Sequence, residues 1–461
     1  MTKKDSSRNY RILREARANL HLALPIVAAQ FTFMGMGTVD TIMAGQIGAD
    51  ELAAVAVGSN AWFLLFILFM GIFMACSPIV AQRIGAGDDA RRTGEFVRSA
   101  ALLAVVLGML WTALTHLAAP WIVGLLDLEP QAAAYAVDYL RAVSWGAVPF
   151  CLCFLGRNVA EGHALTRVAL VAGLIGFAIN GVLDYLLMYG ALGFPRLGAP
   201  GCGWASACSG LAMMLVYGLF FVRLKRLAAL ELFRPQWPLH GDAVREVLRL
   251  GLPIGFILAA ESWMFNIGAL LMARFGGQTV AAHQVAINVA ALTFMVPLSI
   301  GFATTVRVGR AAGARQPDEV RLRGRVGIGI GASFSLVSAS LMALMPGVIV
   351  SAYTEVASVA DIAVKLLYFA AVFQLFDCVQ ATANGALRGL KDTRAPMLIT
   401  VSAYWVVGMP LAWWLAFERE LGPYGVWWGF IAALAVAAVG LATRFVRLTR
   451  RSAPPASAFA P

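Results

Sequence analysis

The sequence predicts an all-α membrane protein of twelve transmembrane helices, arranged as two pseudo-symmetric six-helix bundles. Three observations carry that prediction. Of 461 residues, 60% are hydrophobic and only 13% are charged, with a mean hydropathy of +0.75, whereas soluble domains are about 25% charged. Twelve apolar segments follow one another, each long enough to cross a hydrocarbon layer roughly 30 Å thick. The second six segments repeat features of the first.

In chain order the segments lie at roughly 20–44, 53–82, 96–120, 134–158, 165–190, 201–223, 249–274, 280–306, 324–351, 359–386, 396–417 and 424–446. Their flanks predict orientation. Of 36 lysines and arginines, all but Arg141, Arg196, Arg274, Lys365 and Arg419 fall at the N-terminus, at the C-terminus or around the gaps after even-numbered segments. Basic residues accumulate on the cytoplasmic side, so both termini are expected there. The opposite gaps carry acids, among them Asp50, Glu51, Asp127, Glu129, Glu355, Glu418 and Glu420. The net charge of +11 is then accounted for by orientation and by contact with anionic lipid, not by nucleic acid. The opening MTKKDSSRNYRILREARANL is basic and polar, and no removable signal peptide is expected. Cys76, Cys151, Cys153, Cys202, Cys208 and Cys378 sit in or beside apolar runs without metal-ligand spacing, as small packing residues do.

The longest polar stretch, 223–249, divides the segments six and six. The expected organisation is an N-terminal lobe over 1–225 and a cytoplasmic linker over 226–248. A C-terminal lobe with a short basic tail covers 249–461. An amphipathic helix is expected at 240–249. Leu24-Pro25-Ile26 returns as Leu252-Pro253-Ile254. Met43, Ala44, Gly48 and Ala53 match Met272, Ala273, Gly277 and Ala282, and Gly162, Thr166 and Arg167 match Gly389, Thr393 and Arg394. A repeat of six spans restarts on the same face, so the halves relate by an axis along the membrane normal, an organisation found among transporters that work by rocking.

Acids inside the apolar runs are the candidate functional residues. Glu261 lies near the middle of segment 7. A carboxylate at that depth costs roughly 3 kcal/mol or more and usually faces a cavity or another helix. Asp377 in segment 10 is flanked by Gln374 and Gln380. Two such acids with a few further oxygens suit a sodium ion or a proton. Asp40 lies in the outer part of segment 1, either as a carboxylate at a solvated helix end or as part of a cation site. Asn180 and Asp184 in segment 5 are four apart and share a face. They form either interhelical hydrogen bonds or, with Asp40 at similar depth, a second site for one proton or cation. His283, Gln30 and Asn288 also lie in helices, His283 most simply as a packed residue. Arg157 and Glu161 are one turn apart and pair most simply with each other. Phe265 follows Glu261 by one turn, placed either for packing or for contact with a flat organic cation.

The repeated sixes, VDTIMAGQIGADELAAVAVG after segment 1, Glu261 and Asp377 together resemble the multidrug and toxic compound extrusion family, in its NorM branch, over about residues 15–447. The resemblance implies a MATE-type fold and a monomeric antiporter of the bacterial inner membrane. It would expel organic cations and other amphiphilic drugs against sodium or proton entry, with no cofactor. It implies that Glu261 and Asp377 hold the transported cation, with Phe265, Gln284 and Phe373 at the substrate site, Phe373 through a cation–π contact. It matches Asp40 to the family's N-terminal aspartate. Asn180 with Asp184 is similar to the N-terminal proton site of the DinF branch, which leaves sodium, a proton or both as coupling ion. The alternative is a lipid-linked saccharide flippase of the same superfamily, although such a protein typically carries basic groups for pyrophosphate, and the intramembrane charges here are mainly acids. No clustered metal or nucleophile motif points to an enzyme.

Overall fold

A computed structural model describes residues 3–126, 128–234 and 240–451. Asp127, the linker's middle at 235–239 and the tail at 452–461 lie outside the described residues. Among those described there is no strand. The helices are α1 (Lys3–Ile47), α2 (Ala49–Ala86), α3 (Ala90–Gly124), α4 (Pro130–Ser144 with Ala147–Gly162), α5 (Thr166–Tyr189) and α6 (Ala199–Arg223). The second set is α7 (Gly241–Ala273), α8 (Gly277–Gly313), α9 (Pro317–Leu344), α10 (Ala357–Gly389), α11 (Arg394–Glu418) and α12 (Pro423–Arg451). Eleven are single helices long and apolar enough to cross a membrane, and α4 makes a twelfth as a pair bent by 48°.

The expected segment 134–158 is therefore not straight. Pro149 has no N–H to offer the carbonyl four residues back, at Trp145, and the break falls at Trp145–Gly146. The expected segment 324–351 also divides, because Pro346 restarts a short helix, Pro346–Ser351, after α9 ends at Leu344. The amphipathic helix expected at 240–249 is not separate. It forms the first turns of α7, since no breaking residue lies between Gly241 and the apolar run.

The chain packs as two compact units, one of residues 1–24, 84–86 and 256–461, the other of 25–83 and 87–255. This differs from a division at the 226–248 linker. Within the first unit the start of α1 is fixed by buried polar groups. Arg307 donates two hydrogen bonds to Glu15, Arg323 lies 3.8 Å from the same carboxylate, and Asn19 donates to Thr304 Oγ1 at 3.0 Å. Arg11 pairs with Glu319 at 2.8 Å. Within the second unit the start of α7 meets α2 backbone to backbone, because Gly71 and Gly255 face each other where a Cβ on either would collide. Arg83 adds an ion pair to Glu246 at 3.6 Å. Thus α1 and α7 each begin in one unit and finish in the other. The crossings fall between Leu24 and Pro25 and between Gly255 and Phe256, beside the repeated Leu-Pro-Ile.

Each unit has an aromatic core. In the second, fully buried Trp111 stacks on Trp62, ring centroids 4.0 Å apart, and on Phe69 at 5.1 Å. In the first, Phe373, Trp427 and Phe430 are buried together with Tyr404 and Met264.

Candidate functional site

In the second unit, α1 brings Asp40, α5 brings Asn180 and Asp184, and α6 brings Cys202. An oxygen of each aspartate and the Cys202 sulfur lie within 4.8 Å of one another. Asn180 and Asp184 are wholly buried, and Asp40 is 8% exposed. Both Asp184 oxygens, one Asp40 oxygen and both polar atoms of the Asn180 amide have no hydrogen-bond partner among the described residues. Ser206 and Asn180 also face Asp40. Two carboxyl groups in so dry a place need a proton or a cation between them. Asp40 is thus buried, not at a solvated helix end, and it meets Asp184 of α5 and Cys202 of α6 across the helices.

The local sequence explains the convergence. Cys202 lies between Gly201 and Gly203. A Cβ at Gly201 would stand 2.8 Å from the Leu187 carbonyl carbon, and one at Gly203 would stand 2.7 Å from the Tyr139 backbone carbonyl oxygen. Only bare backbone lets α6 approach α5 and α4 this closely. Cys202 was not anticipated as a site residue. The signal for Cys202 was its glycine flanks.

In the first unit, Glu261 of α7 is half-buried and Asp377 of α10 is 3% exposed. The two carboxyl groups act on each other electrostatically. Gln374 and Gln380 are buried on either side of Asp377. The Gln374 amide donates to Cys378 Sγ at 3.3 Å, and Gln380 Nε2 donates to the Tyr404 hydroxyl at 2.7 Å. Tyr404 and the Glu261 carboxyl act on each other electrostatically. One oxygen on each of Gln374, Asp377 and Gln380 is buried without a donor among the described residues. Three orphan oxygens within two turns of one helix, with Glu261 opposite, form an acceptor-rich site.

Tyr404 was also missed. Tyrosines in membrane spans usually sit at the interfaces, and one in the middle of segment 11 was the available signal.

The remaining candidates separate. Phe265 packs on Phe373, centroids 5.8 Å apart, and on Phe430 at 5.5 Å. Phe373 is 2% exposed, held between Phe265 and Trp427, so only Phe265 of the two has open surface. Gln284 is exposed, and no hydrogen bond among the described residues ties it to Glu261 or Asp377. His283 is packed, its ring 5.7 Å from that of Trp427. Arg157 pairs with Glu161 at 2.8 Å, as the spacing predicts, and also donates to Gln30 at 2.8 Å.

Known proteins share this organisation. The MatE family profile matches residues 25–186 and again 253–414, the two halves of the repeat. The multidrug resistance protein PmpM of Pseudomonas aeruginosa is 39% identical over 451 residues, covering 96% of this chain and 94% of its own. The multidrug resistance protein NorM of Vibrio vulnificus is 36% identical over 451 residues, covering 96% and 98%. Among solved structures, a multidrug resistance MATE family transporter of the MOP superfamily, described in an outward-facing conformation, superposes with a TM-score of 0.86 at 21% identity, covering 96% of this chain and 98% of that one. Its likeness bears on the fold alone. The chain belongs to the MatE family, in its NorM branch, and is a membrane transporter, not an enzyme.

Proposed function

We propose that this transporter exports organic cations and other amphiphilic drugs against the entry of a coupling cation, by alternating access. The observation that carries the reading is the acceptor-rich site on α10, where Gln374, Asp377 and Gln380 each bury an oxygen without a donor among the described residues and Glu261 acts on Asp377. The printed names of the relatives, multidrug resistance proteins, support the class of cargo. That set is all oxygen, which suits a hard ion such as sodium as well as a proton. The Asp40, Asn180 and Asp184 set includes the soft sulfur of Cys202, a poor sodium ligand, and we assign it to a proton.

Coupling needs only differential affinity. If the cation favours one state and the drug the other, each drives the other without contact. The lysine and arginine distribution supports both termini in the cytoplasm, and the bacterial relatives support an inner-membrane location. One chain carries both acid sets, so a monomer suffices. The acids buried at both sites favour cationic cargo over a pyrophosphate-linked lipid.

The test is efflux of ethidium, a planar organic cation, from proteoliposomes under an imposed sodium gradient and then a proton gradient. Sodium-driven efflux should vanish in Glu261→Gln and Asp377→Asn, and proton-driven efflux should fall in Asp40→Asn and Asp184→Asn. Wild-type efflux rates in all four variants would overturn the mechanism.

A further inference from the structure

We propose that Asp40, Asp184 and Cys202 form a binding site for one thiophilic divalent cation, of the class of zinc or cadmium. Three observations converge. First, an oxygen of each aspartate and the Cys202 sulfur lie within 4.8 Å of one another, supplied by three different helices. Around a tetrahedral zinc, with bonds of about 2.0–2.3 Å, ligand atoms stand roughly 3.3–3.8 Å apart, so the three need to close by at most roughly 1.5 Å. Second, both oxygens of Asp184 and both polar atoms of Asn180 are wholly buried and have no hydrogen-bond partner among the described residues. Asn180 is one turn before Asp184 on the same face of α5 and faces Asp40, so its amide oxygen is the candidate fourth ligand. Third, the sulfur reaches the acids through bare backbone. Gly201 and Gly203, on either side of Cys202, let α6 come in where any Cβ would collide with α5 or α4.

The donor set selects the ion. Sodium, magnesium and calcium take oxygen, whereas a soft thiolate beside carboxylates suits zinc and the still softer cadmium. The metal binds deprotonated ligands. The thiol proton, and any proton held by the carboxyls, leave to water as it enters, and no oxidation state changes. Metal and coupling proton therefore compete for one place. The binding itself does not depend on the function proposed above. Its effect on transport does, because that reading puts a proton in this site.

The test titrates the purified full-length chain in detergent with cadmium, whose bond to a thiolate gives an ultraviolet charge-transfer band. The native chain should develop the band saturably, with one cadmium per chain. Cys202→Ser should abolish it. Asp184→Asn should raise the half-saturating cadmium concentration by roughly 100-fold or more, since even partners behind the ligands are worth 10–100-fold. Asp40→Asn should do the same, and the two aspartate variants carry the test if Cys202→Ser does not fold. Cys208→Ser, at the exposed cysteine, should leave the titration unchanged. No saturable band in the native chain, an unchanged band in Cys202→Ser, or unchanged half-saturation in both aspartate variants would overturn the proposal. In proteoliposomes, the cadmium concentration that half-fills the band should halve proton-driven ethidium efflux by the native chain. A band lost in Cys202→Ser, together with native efflux indifferent to cadmium, would uphold the metal site and overturn the assignment of the proton to it.

Discussion

Asp184 has no exposed surface, and neither of its carboxyl oxygens has a hydrogen-bond partner among the described residues. A group chosen for stability would not be left so. Substituting a neutral asparagine removes a carboxyl from a dry pocket shared with Asp40. We expect Asp184→Asn to melt in detergent no lower than the native chain while losing proton-driven efflux, the signature of a residue kept for function at some cost in stability. Glu15 is the opposite case, paired with Arg307 and Arg323. Glu15→Gln leaves the largely buried Arg307 guanidinium short of its counter-charge, which costs about 3 kcal/mol, while Arg323 keeps Glu319 at 3.1 Å. The expected outcome is a melting temperature several degrees lower. Gly203 is constrained by space. A Cβ there would stand 2.7 Å from the Tyr139 backbone carbonyl oxygen and 3.0 Å from Ala142. Gly203→Ala should cost about 1–3 kcal/mol through overpacking and lower the thermal midpoint accordingly.

At the scale of the element, α11 shows how a helix can depart from its ordinary period. Its buried residues include Pro396, Thr400, Tyr404, Gly408, Ala412 and Ala416, one every fourth position. An α-helix turns about 100° per residue, so this stripe would drift by roughly 40° per step and reach the opposite face within about five steps. The π-helical stretches at Ala403–Gly408 and Trp414–Glu418 widen the turn and hold the stripe against α12, where Gly429 leaves no room for a Cβ beside Ala412. Ala412→Leu should therefore deplete folded protein in a detergent stability assay. Val406→Leu, at a position 71% exposed on the same helix, should be neutral. This is also where the sequence falls short. The twelve segments are visible because apolar length is a strong local signal, and Glu261, Asp377, Asp40 and Asp184 because charge is conspicuous there. Tyr404 and Cys202 are apolar enough to pass as packing. Their relation to the acids comes from a widened turn and from close helix contacts that no spacing rule foretells. Phe373 matched by position yet is enclosed by Phe265 and Trp427, because burial depends on what the neighbouring helix supplies.

For the whole molecule, the orientation proposed from basic residues can be checked directly. With Cys208, the exposed native cysteine, replaced by serine, Gln316→Cys should react with a membrane-impermeant maleimide only after cells are opened. Glu420→Cys should react in intact cells. The reverse pattern would invert the topology and with it the direction assigned to the coupling ion. The division into lobes was legible only in part. The repeat marks two sixes, but the sequence does not reveal that α1 and α7 change units part-way, because the buried pairing of Glu15 with Arg307 and the bare contact of Gly71 with Gly255 join residues far apart in the chain.

That exchange bears on ancestry. Each repeat lends the opening turns of its first helix to the other repeat and receives the same in return. A gene encoding a single repeat would produce a chain whose leading segment has its seat on another copy. Two copies trading those segments would satisfy each other, as swapped dimers do. Such an ancestor would have been an obligate pair, and the duplication that fused it would have turned an association between chains into a feature of one.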